Sequence, residues 1–355
     1  MEQIKAKVVA HSKSSVSGKE VITFELEFPR IILAEFNTHN ALSKNSSSSR
    51  AIPVDKMLQQ VRDNPAMPVR FGKANKGMQD AGEHEDLVIV SDEMAESWGG
   101  LYPKDAWKFA ANRAADLAQA FHEAGYAKQI CNRLIEPFQM MKVVMTATEL
   151  NNFIWLRDHP AADPTIEALA KAIKKVKDES EPFVLHPGEW HVPYIGRTRD
   201  CLGNIMYLNG ELPPFSNKTQ VLPTISLEDA LTISMSCTAQ VSFRSLDDTL
   251  EKAKSVVNKL NLAGEDLDNP SHASPSEHQC TPIKESENLL QMMPRPDNFD
   301  ACAMTYKVGK INVLSNPETW QEGITHMDRD GTLCSGNLKG FIQYRQLIPN
   351  NVKKG

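Results

Sequence analysis

The residues best suited to chemistry lie between Thr38 and Arg50, in the run THNALSKNSSSSR. Asn45 leads into the serines from Ser46 to Ser49, and Arg50 follows them directly. A serine-rich turn offers hydroxyl and backbone N–H donors to an anion. A guanidinium adds charge-assisted, bidentate donors, so Ser46, Ser48 and Arg50 together suit a phosphate group. Without that setting, the default for a lone arginine is pairing with a surface carboxylate. Arg133 is a second guanidinium suited to the same phosphate. Arg157 follows Ile154, Trp155 and Leu156, an apolar frame in which an idle charge would be costly. A fixed guanidinium there can stabilise negative charge that develops on a bound ring. His39, next to the turn, is balanced between ligand contact and a hydrogen-bonded strut.

Other constellations are weaker. In HPGEWH, His186, Glu189 and His191 place two imidazoles and a carboxylate close in sequence. Their spacing matches no standard ligand pattern, so a structural turn built on Trp190 is expected and no metal site. The six cysteines are scattered without a CxxC pair, which favours reduced, mostly buried thiols. GxGxxG, GxxxxGK and HExxH are all missing, and with them the usual nucleotide and zinc-protease readings. The methionine pairs at 140–141 and 292–293 read as core filler. A net charge of -6 gives no general attraction to nucleic acid or an anionic membrane. No apolar run approaches the ~20 residues of a membrane helix, and MEQIKAKVVAHSK has no signal-peptide core. A cytoplasmic protein with no nucleic-acid or membrane partner is therefore expected.

The elements that must position these residues follow from periodicity. The chain has 355 residues, enough for about two domains at ~150 residues each, or one large one. Residues 20–28 alternate, with Ile22, Phe24, Leu26 and Phe28 on one face and Thr23, Glu25 and Glu27 on the other. This predicts a half-buried strand that stops at Pro29. IILAEF then leads into the polar serine run, which suits a structured loop. Residues 65–103 read as an insertion of loops. A helix is predicted over 104–124, with Trp107, Ala110, Ala111, Ala114, Leu117 and Phe121 as its stripe and Gly125 as its stop.

Residues 128–157 are dense in both apolar and polar groups. Asp163 should cap a helix starting at Pro164, with Ile166, Leu169, Ile173 and Val176 buried. Another helix should begin after Ser226, capped with the help of Asp229, and a further one should cover about 247–261. From 300 onward short strands and turns are expected. Helices and strands fall in blocks, which predicts an α+β fold with a mixed sheet and packed helices. The expected division is 1–180, carrying the serine loop and the arginines, an irregular linker at 181–225, and 226–355.

THNALSKNSSSSRA resembles the signature loop of the flavin-dependent thymidylate synthases, RHRxxSxNExSxRY. His39, Ser43, Asn45, Ser48 and Arg50 fall on its fixed positions with unchanged spacing. NNFIWLR (151–157) resembles the family's NFxxLR segment, which implies a ring-contacting catalytic role for Arg157 and a place near the flavin for Asn152. NRLIEP (132–137) resembles the segment of a second substrate arginine, here Arg133. TAQVSF (238–243) resembles AARVSF, and HASPSEH (272–278) resembles HETPFEH, which implies flavin contacts for Ser274 and Glu277. His272 and His278 fall on the flanking histidines, where capping and stapling a loop is the plainer role. In the family the last two segments precede the signature loop; here they follow it, so the resemblance is to a rearranged branch with its segments in permuted order.

FIQYRQLIPN (341–350) aligns without gaps to FNTHNALSKN (36–45) as a candidate second copy, with Arg345 a cofactor-binding candidate. The resemblance implies FAD, held by His39, Asn45, Asn152, Ser274, Glu277 and Arg345, with Ser46, Ser48, Arg50 and Arg133 on a pyrimidine deoxynucleotide monophosphate. It also implies NADPH and methylenetetrahydrofolate as co-substrates, and a homodimer or homotetramer with sites between subunits. The folate-only thymidylate synthases need a cysteine after a proline, and no cysteine here follows one.

The departures are substantial. Thr38 and Asn40 stand for arginines, Ser46 for a glutamate, Ala51 for a tyrosine, Gln240 for an arginine and Ser276 for an aromatic. Losing cations weakens anion binding and alters flavin potential, so the folate step is the part put in question. Three readings remain open: methylation of dUMP, another one-carbon transfer such as hydroxymethylation or action on dCMP, and a non-catalytic nucleotide- or flavin-binding regulator. A changed polar shell can exchange uracil for cytosine, because cytosine offers an amino donor where uracil offers a carbonyl acceptor.

Overall fold

The computed structural model describes residues 3–77, 79–89, 99–210, 223–242, 246–264, 266, 268–284, 304–308, 311–315, 317–349 and 351–352. The chain opens with strands β1 (Lys5–Ser14) and β2 (Glu20–Pro29), a short helix α1 (Leu33–Asn37) and strand β3 (Ser43–Ser46). Helices α2 (Val54–Asp63), α3 (Pro103–Glu123) and α4 (Lys128–Leu134) follow, then strand β4 (Met140–Ala147). Next come helices α5 (Asn151–Arg157) and α6 (Pro164–Asp178) and strand β5 (Phe183–Leu185). A small sheet of β6 (Gly196–Arg199), β7 (Ile205–Leu208) and β8 (Thr224–Ile225) precedes helices α7 (Leu227–Ala239) and α8 (Leu250–Lys259). Beyond them lie β9 (Cys280–Pro282), the pair β10 (Met304–Val308) and β11 (Ile311–Ser315), and short strands between His326 and Gln343.

The central sheet runs β3-β4-β2-β1-β5. Its first four strands are antiparallel and β5 joins β1 in parallel, so the sheet is mixed, as expected of the α+β pattern. Alternation in β2 places Ile22, Phe24, Leu26 and Phe28 on one face, where they meet Met141, Val143 and Met145 of β4. Phe36, Phe153, Ile166, Leu169 and Ile173 from α1, α5 and α6 complete that core. Burying a large apolar side chain stabilises by about 1.5–3 kcal/mol, so this layer anchors everything built on the sheet.

The opposite face differs from expectation. Thr23 is fully buried, because residues 190–207 and helix α7 cover this side. Val144 packs there with Trp190, Val192, Tyr194, Tyr207 and Ile233. On this face the strand stays half-buried at Glu25 and Glu27, and Glu25 still accepts from the Tyr194 hydroxyl of the second layer (3.1 Å).

Local signals located several helix ends. The Asp163 carboxylate accepts from the backbone N–H groups of Thr165 and Ile166, and Gly125, at φ +84°, ends α3. Ser226 caps α7, but Asp229 takes the Ser226 hydroxyl proton (2.9 Å) rather than reaching back to the backbone. The α3 stripe needs correction. Its buried line is Ala111, Ala115 and Ala118, while Ala110 and Leu117 face solvent. Small side chains let α3 lie close on α2 and α4, with Trp107 at the end of that line against Phe138. The five described cysteines are free thiols, all but Cys201 buried; Cys302, Met292 and Met293 fall outside the described residues.

Candidate active site

The signature loop begins where α1 ends. The last carbonyls of a short helix carry negative partial charge, and Lys44 answers it. Its Nζ donates to the carbonyls of Phe36 (3.3 Å), Asn37 (3.2 Å) and His39 (2.8 Å) and lies over the Phe36 ring. Burial lowers the Lys44 pKa, against a raising influence from Glu277. Lys44 occupies a variable position of the loop pattern, so motif matching passed over it. The usable signal was a lysine a few residues past a helix end.

This brace sets His39, whose ring meets Phe153 edge-on at 4.9 Å. Arg157 Nε donates to His39 Nε2 at 3.0 Å, and its NH1 lies 3.6 Å from Glu35. Burial lowers the His39 pKa, and the charges of Arg157 and Lys44 lower it further, which keeps Nε2 free to accept. The structure thus brings together two residues predicted from separate segments, His39 and Arg157. The expected apolar frame is absent: Trp155 is 73% exposed and Leu156 43% exposed, and Arg157 itself is partly exposed. Helix α5 is only two turns long; it turns Phe153 inward with Ile154 partly buried beside it, which leaves Trp155 and Leu156 outside. Asn152 also stays exposed, on the first turn.

Strand β3 links the loop to the distant C-terminal segments. Asn45 Nδ2 donates to the Thr238 carbonyl (2.6 Å), and Ser274 Oγ donates to Asn45 Oδ1 (3.4 Å). Asn45 therefore joins the signature loop to both TAQVSF and HASPSEH; Phe243 of the former lies outside the described residues. Ser43 donates to Asn337 Oδ1 (2.9 Å), and Gln343 Nε2 reaches Ser43 Oγ (3.2 Å) and the Glu277 carbonyl (2.9 Å). Glu277 is ion-paired with Arg345. Burial raises the Glu277 pKa, opposed by Arg345 and Lys44. The region from 341 does not repeat the fold of 36–45. It runs from a short strand (Phe341–Gln343) into a 3-10 turn, whereas 36–45 runs from helix through turn to strand. Arg345 nevertheless reaches this cluster, with its charge matched by Glu277.

The serine run forms a turn, with Ala51 N–H bonded to the Ser48 carbonyl (3.0 Å) and Arg50 N–H to Ser48 Oγ (3.3 Å). Ser48 and Arg50 are exposed, Ser46 is half-buried on β3, and Ser47 is buried against β4. Arg133 is exposed on α4. Its neighbour Asn132 was missed: fully buried, it donates to the carbonyls of Ser49 (2.8 Å) and Ile52 (3.0 Å) and holds the turn on α4. A cavity of about 870 Å³ adjoins the turn at Ser47 and Ala51–Pro53, and Glu27, Asp55, Gln60, Lys142 and Val241 also line it. Arg50, Arg133 and Arg157 do not line it.

HPGEWH folds as a structural turn. Glu189 accepts from His186 N–H (2.8 Å) and from Arg199 (2.8 and 2.7 Å), while His191 is buried under the sheet. Among the described residues no group of three His, Cys, Asp or Glu side chains could hold a metal ion, and no helix is long and apolar enough to cross a membrane.

The sequence pattern of a known family, described as thymidylate synthase complementing protein, matches residues 1–182, just over half the chain. The chain belongs to this family. Membership makes it a flavin-dependent enzyme of the methyltransferase type. The matched span contains the loop, Arg133 and Arg157. No curated protein matches the chain.

Among solved structures, it is similar to the UMP/dUMP methylase PolB from Streptomyces cacaoi bound with 5-Br dUMP. The identity is 14%, over 50% of this chain and 91% of that one, with a TM-score of 0.37. It is also similar to the flavin-dependent thymidylate synthase ThyX from Helicobacter pylori complexed with FAD and dUMP, at 20% identity, over 44% and 67% of the two chains, with a TM-score of 0.27.

Proposed function

We propose that the protein transfers a one-carbon unit from methylenetetrahydrofolate to the 5-carbon of a pyrimidine deoxynucleotide monophosphate, with dUMP as the substrate and dTMP as the product. NADPH is the reductant in this reading, and the enzyme acts in the cytoplasm as a homodimer or homotetramer. The observation that carries it is the family match across the signature loop and Arg157.

FAD fits the residues present. Two buried donor positions, His278 Nε2 and Arg345 Nε, have no hydrogen-bond partner, and both residues adjoin Glu277. Carbonyls and ring nitrogens of a flavin are the acceptors such donors lack. His39, Asn45, Asn152, Ser274, Glu277 and Arg345 would hold the group, which when bound supplies the redox and carbon-transfer chemistry.

The chain's own residues then have separate tasks. Ser46, Ser48, Arg50 and Arg133 grip the phosphate, and the exposed Arg50 and Arg133 have side-chain freedom to close on it. Arg157 stabilises charge on the pyrimidine ring as the 5-carbon becomes nucleophilic. A neutral His39 and Glu35 hold its guanidinium in orientation. Incubation with dUMP or dCMP, methylenetetrahydrofolate, FAD and NADPH, followed by mass analysis, tests the reading. The expected product is dUMP plus a methyl group. A hydroxymethyl product or conversion of dCMP would change the assigned reaction, and no mass gain on either nucleotide would refute it.

A further inference from the structure

A line of buried polar groups crosses the back face of the sheet and ends at His278. Arg197 on β6 donates through NH1 to Ser12 Oγ and through NH2 to the His11 carbonyl (3.3 Å). Ser12 Oγ lies 2.8 Å from His191 Nδ1, and His191 Nε2 lies 2.8 Å from Thr23 Oγ1. Thr23 and Thr146 hydroxyls are 2.6 Å apart, and Thr146 Oγ1 is 2.8 Å from His278 Nδ1. Ser12, Thr23, Thr146, His191 and His278 have no solvent exposure.

The protons along this line have one arrangement that gives every hydroxyl proton an acceptor. Arginine can only donate, so Ser12 Oγ accepts from it, and along this line the acceptor within reach of the Ser12 hydroxyl proton is His191 Nδ1. Burial holds His191 far below its ordinary pKa, so the ring is neutral and its one proton sits on Nε2. That proton goes to Thr23, Thr23 donates to Thr146, and Thr146 donates to His278 Nδ1. Burial pulls the His278 pKa down to about 3, so this ring too carries one proton, on Nε2. Reversing one link sets two donors or two acceptors against each other, and reversing the whole line leaves the Ser12 hydroxyl proton without an acceptor in a dry interior, where an unmade bond costs about 1–3 kcal/mol.

We propose that Arg197, acting through Ser12, His191, Thr23 and Thr146, is a positioning residue that locks His278 as a neutral Nε2–H donor for an acceptor atom of the bound ring. His278 Nε2 is the buried, partnerless end of the line, and its neighbour Glu277 belongs to the Asn45–Ser274–Arg345 cluster. The ligand half of this assignment rests on the flavin reading above; the tautomer half does not.

The test uses the full chain with nitrogen-15-labelled histidine, without ligand, and reads each imidazole by NMR. The unaltered protein should show His278 as a single Nε2–H tautomer. Arg197→Met and the near-isosteric Thr146→Val should convert it to a mixture, while Arg197→Lys, which keeps a donor, should preserve it. A proton on His278 Nδ1 in the unaltered chain, or a preference surviving in both disruptive variants, overturns the tautomer assignment. FAD added as the probe should shift the His278 Nε2–H signal. His278→Gln, with an amide N–H near the same place, should bind FAD within about threefold, and His278→Leu about tenfold more weakly. An unmoved signal with undiminished binding by His278→Leu overturns the ligand assignment alone.

Discussion

Arg157 shows how a single residue depends on its neighbours. Its ring-contacting role is implied by the resemblance of its segment, and the apolar frame expected to make an idle charge costly is not there: Trp155 and Leu156 are exposed. What holds the guanidinium is His39 Nε2 and, more distantly, Glu35. His39 and Arg157 come from separate sequence segments, and their contact, not an apolar frame, is the physical setting of Arg157. Removing a preorganised donor aimed at developing charge typically costs about 10²–10³ in rate. Arg157→Ala should accordingly lower kcat by roughly that factor. Bound flavin, read from its visible absorbance, should be largely retained. Unchanged turnover would remove Arg157 from the chemistry, and lost absorbance would move it to cofactor binding.

At the scale of elements, the serine turn is held from outside. Ser47 ties it to Lys142 of β4, and Asn132 on α4 donates from a buried position to the Ser49 and Ile52 carbonyls. The motif pattern pointed to Arg133, because NRLIEP resembles the segment that holds a second substrate arginine. It had no means of flagging the asparagine beside it, whose partners lie about eighty residues earlier in the chain. Asn132→Ala should destabilise the protein by about 1–3 kcal/mol, since the Ser49 and Ile52 carbonyls lose their donor. It should also raise the KM for the nucleotide more than it lowers kcat. Urea unfolding and steady-state kinetics check both, and an unaltered KM would mean that the turn does not bind substrate.

Across the whole molecule, the C-terminal half closes the back of the sheet and buries imidazoles there. Native His278 has a pKa near 3 against 6.5 when unfolded, and His191 and His11 are shifted the same way by burial. Between the native and unfolded values the unfolded chain binds more protons, so stability rises with pH in that window. The contribution is complete above pH 6.5 and is lost as pH falls toward 3; His278 alone accounts for about 3 kcal/mol by pH 4. Urea midpoints measured from pH 4 to 7 should climb steeply for the unaltered protein and less so for His278→Gln. Parallel curves would show that His278 accepts a proton in the folded state.

The sequence by itself determined what depends on a few adjacent residues. Alternation in 20–28 specified β2 and its core face, Asp163–Pro164 and Ser226 specified where α6 and α7 begin, and the spacing of His39, Ser43, Asn45, Ser48 and Arg50 identified the loop. Only the tertiary structure decided which distant groups meet. Asn45 with Thr238 and Ser274, Glu277 with Arg345, and His191 between Ser12 and Thr23 are contacts between segments far apart in the chain. Such contacts are set by how layers pack on the two faces of the sheet, and that packing is a sum over many side chains rather than a local pattern. The same packing buried Thr23, exposed Trp155, and brought the C-terminal HASPSEH segment against the N-terminal signature loop.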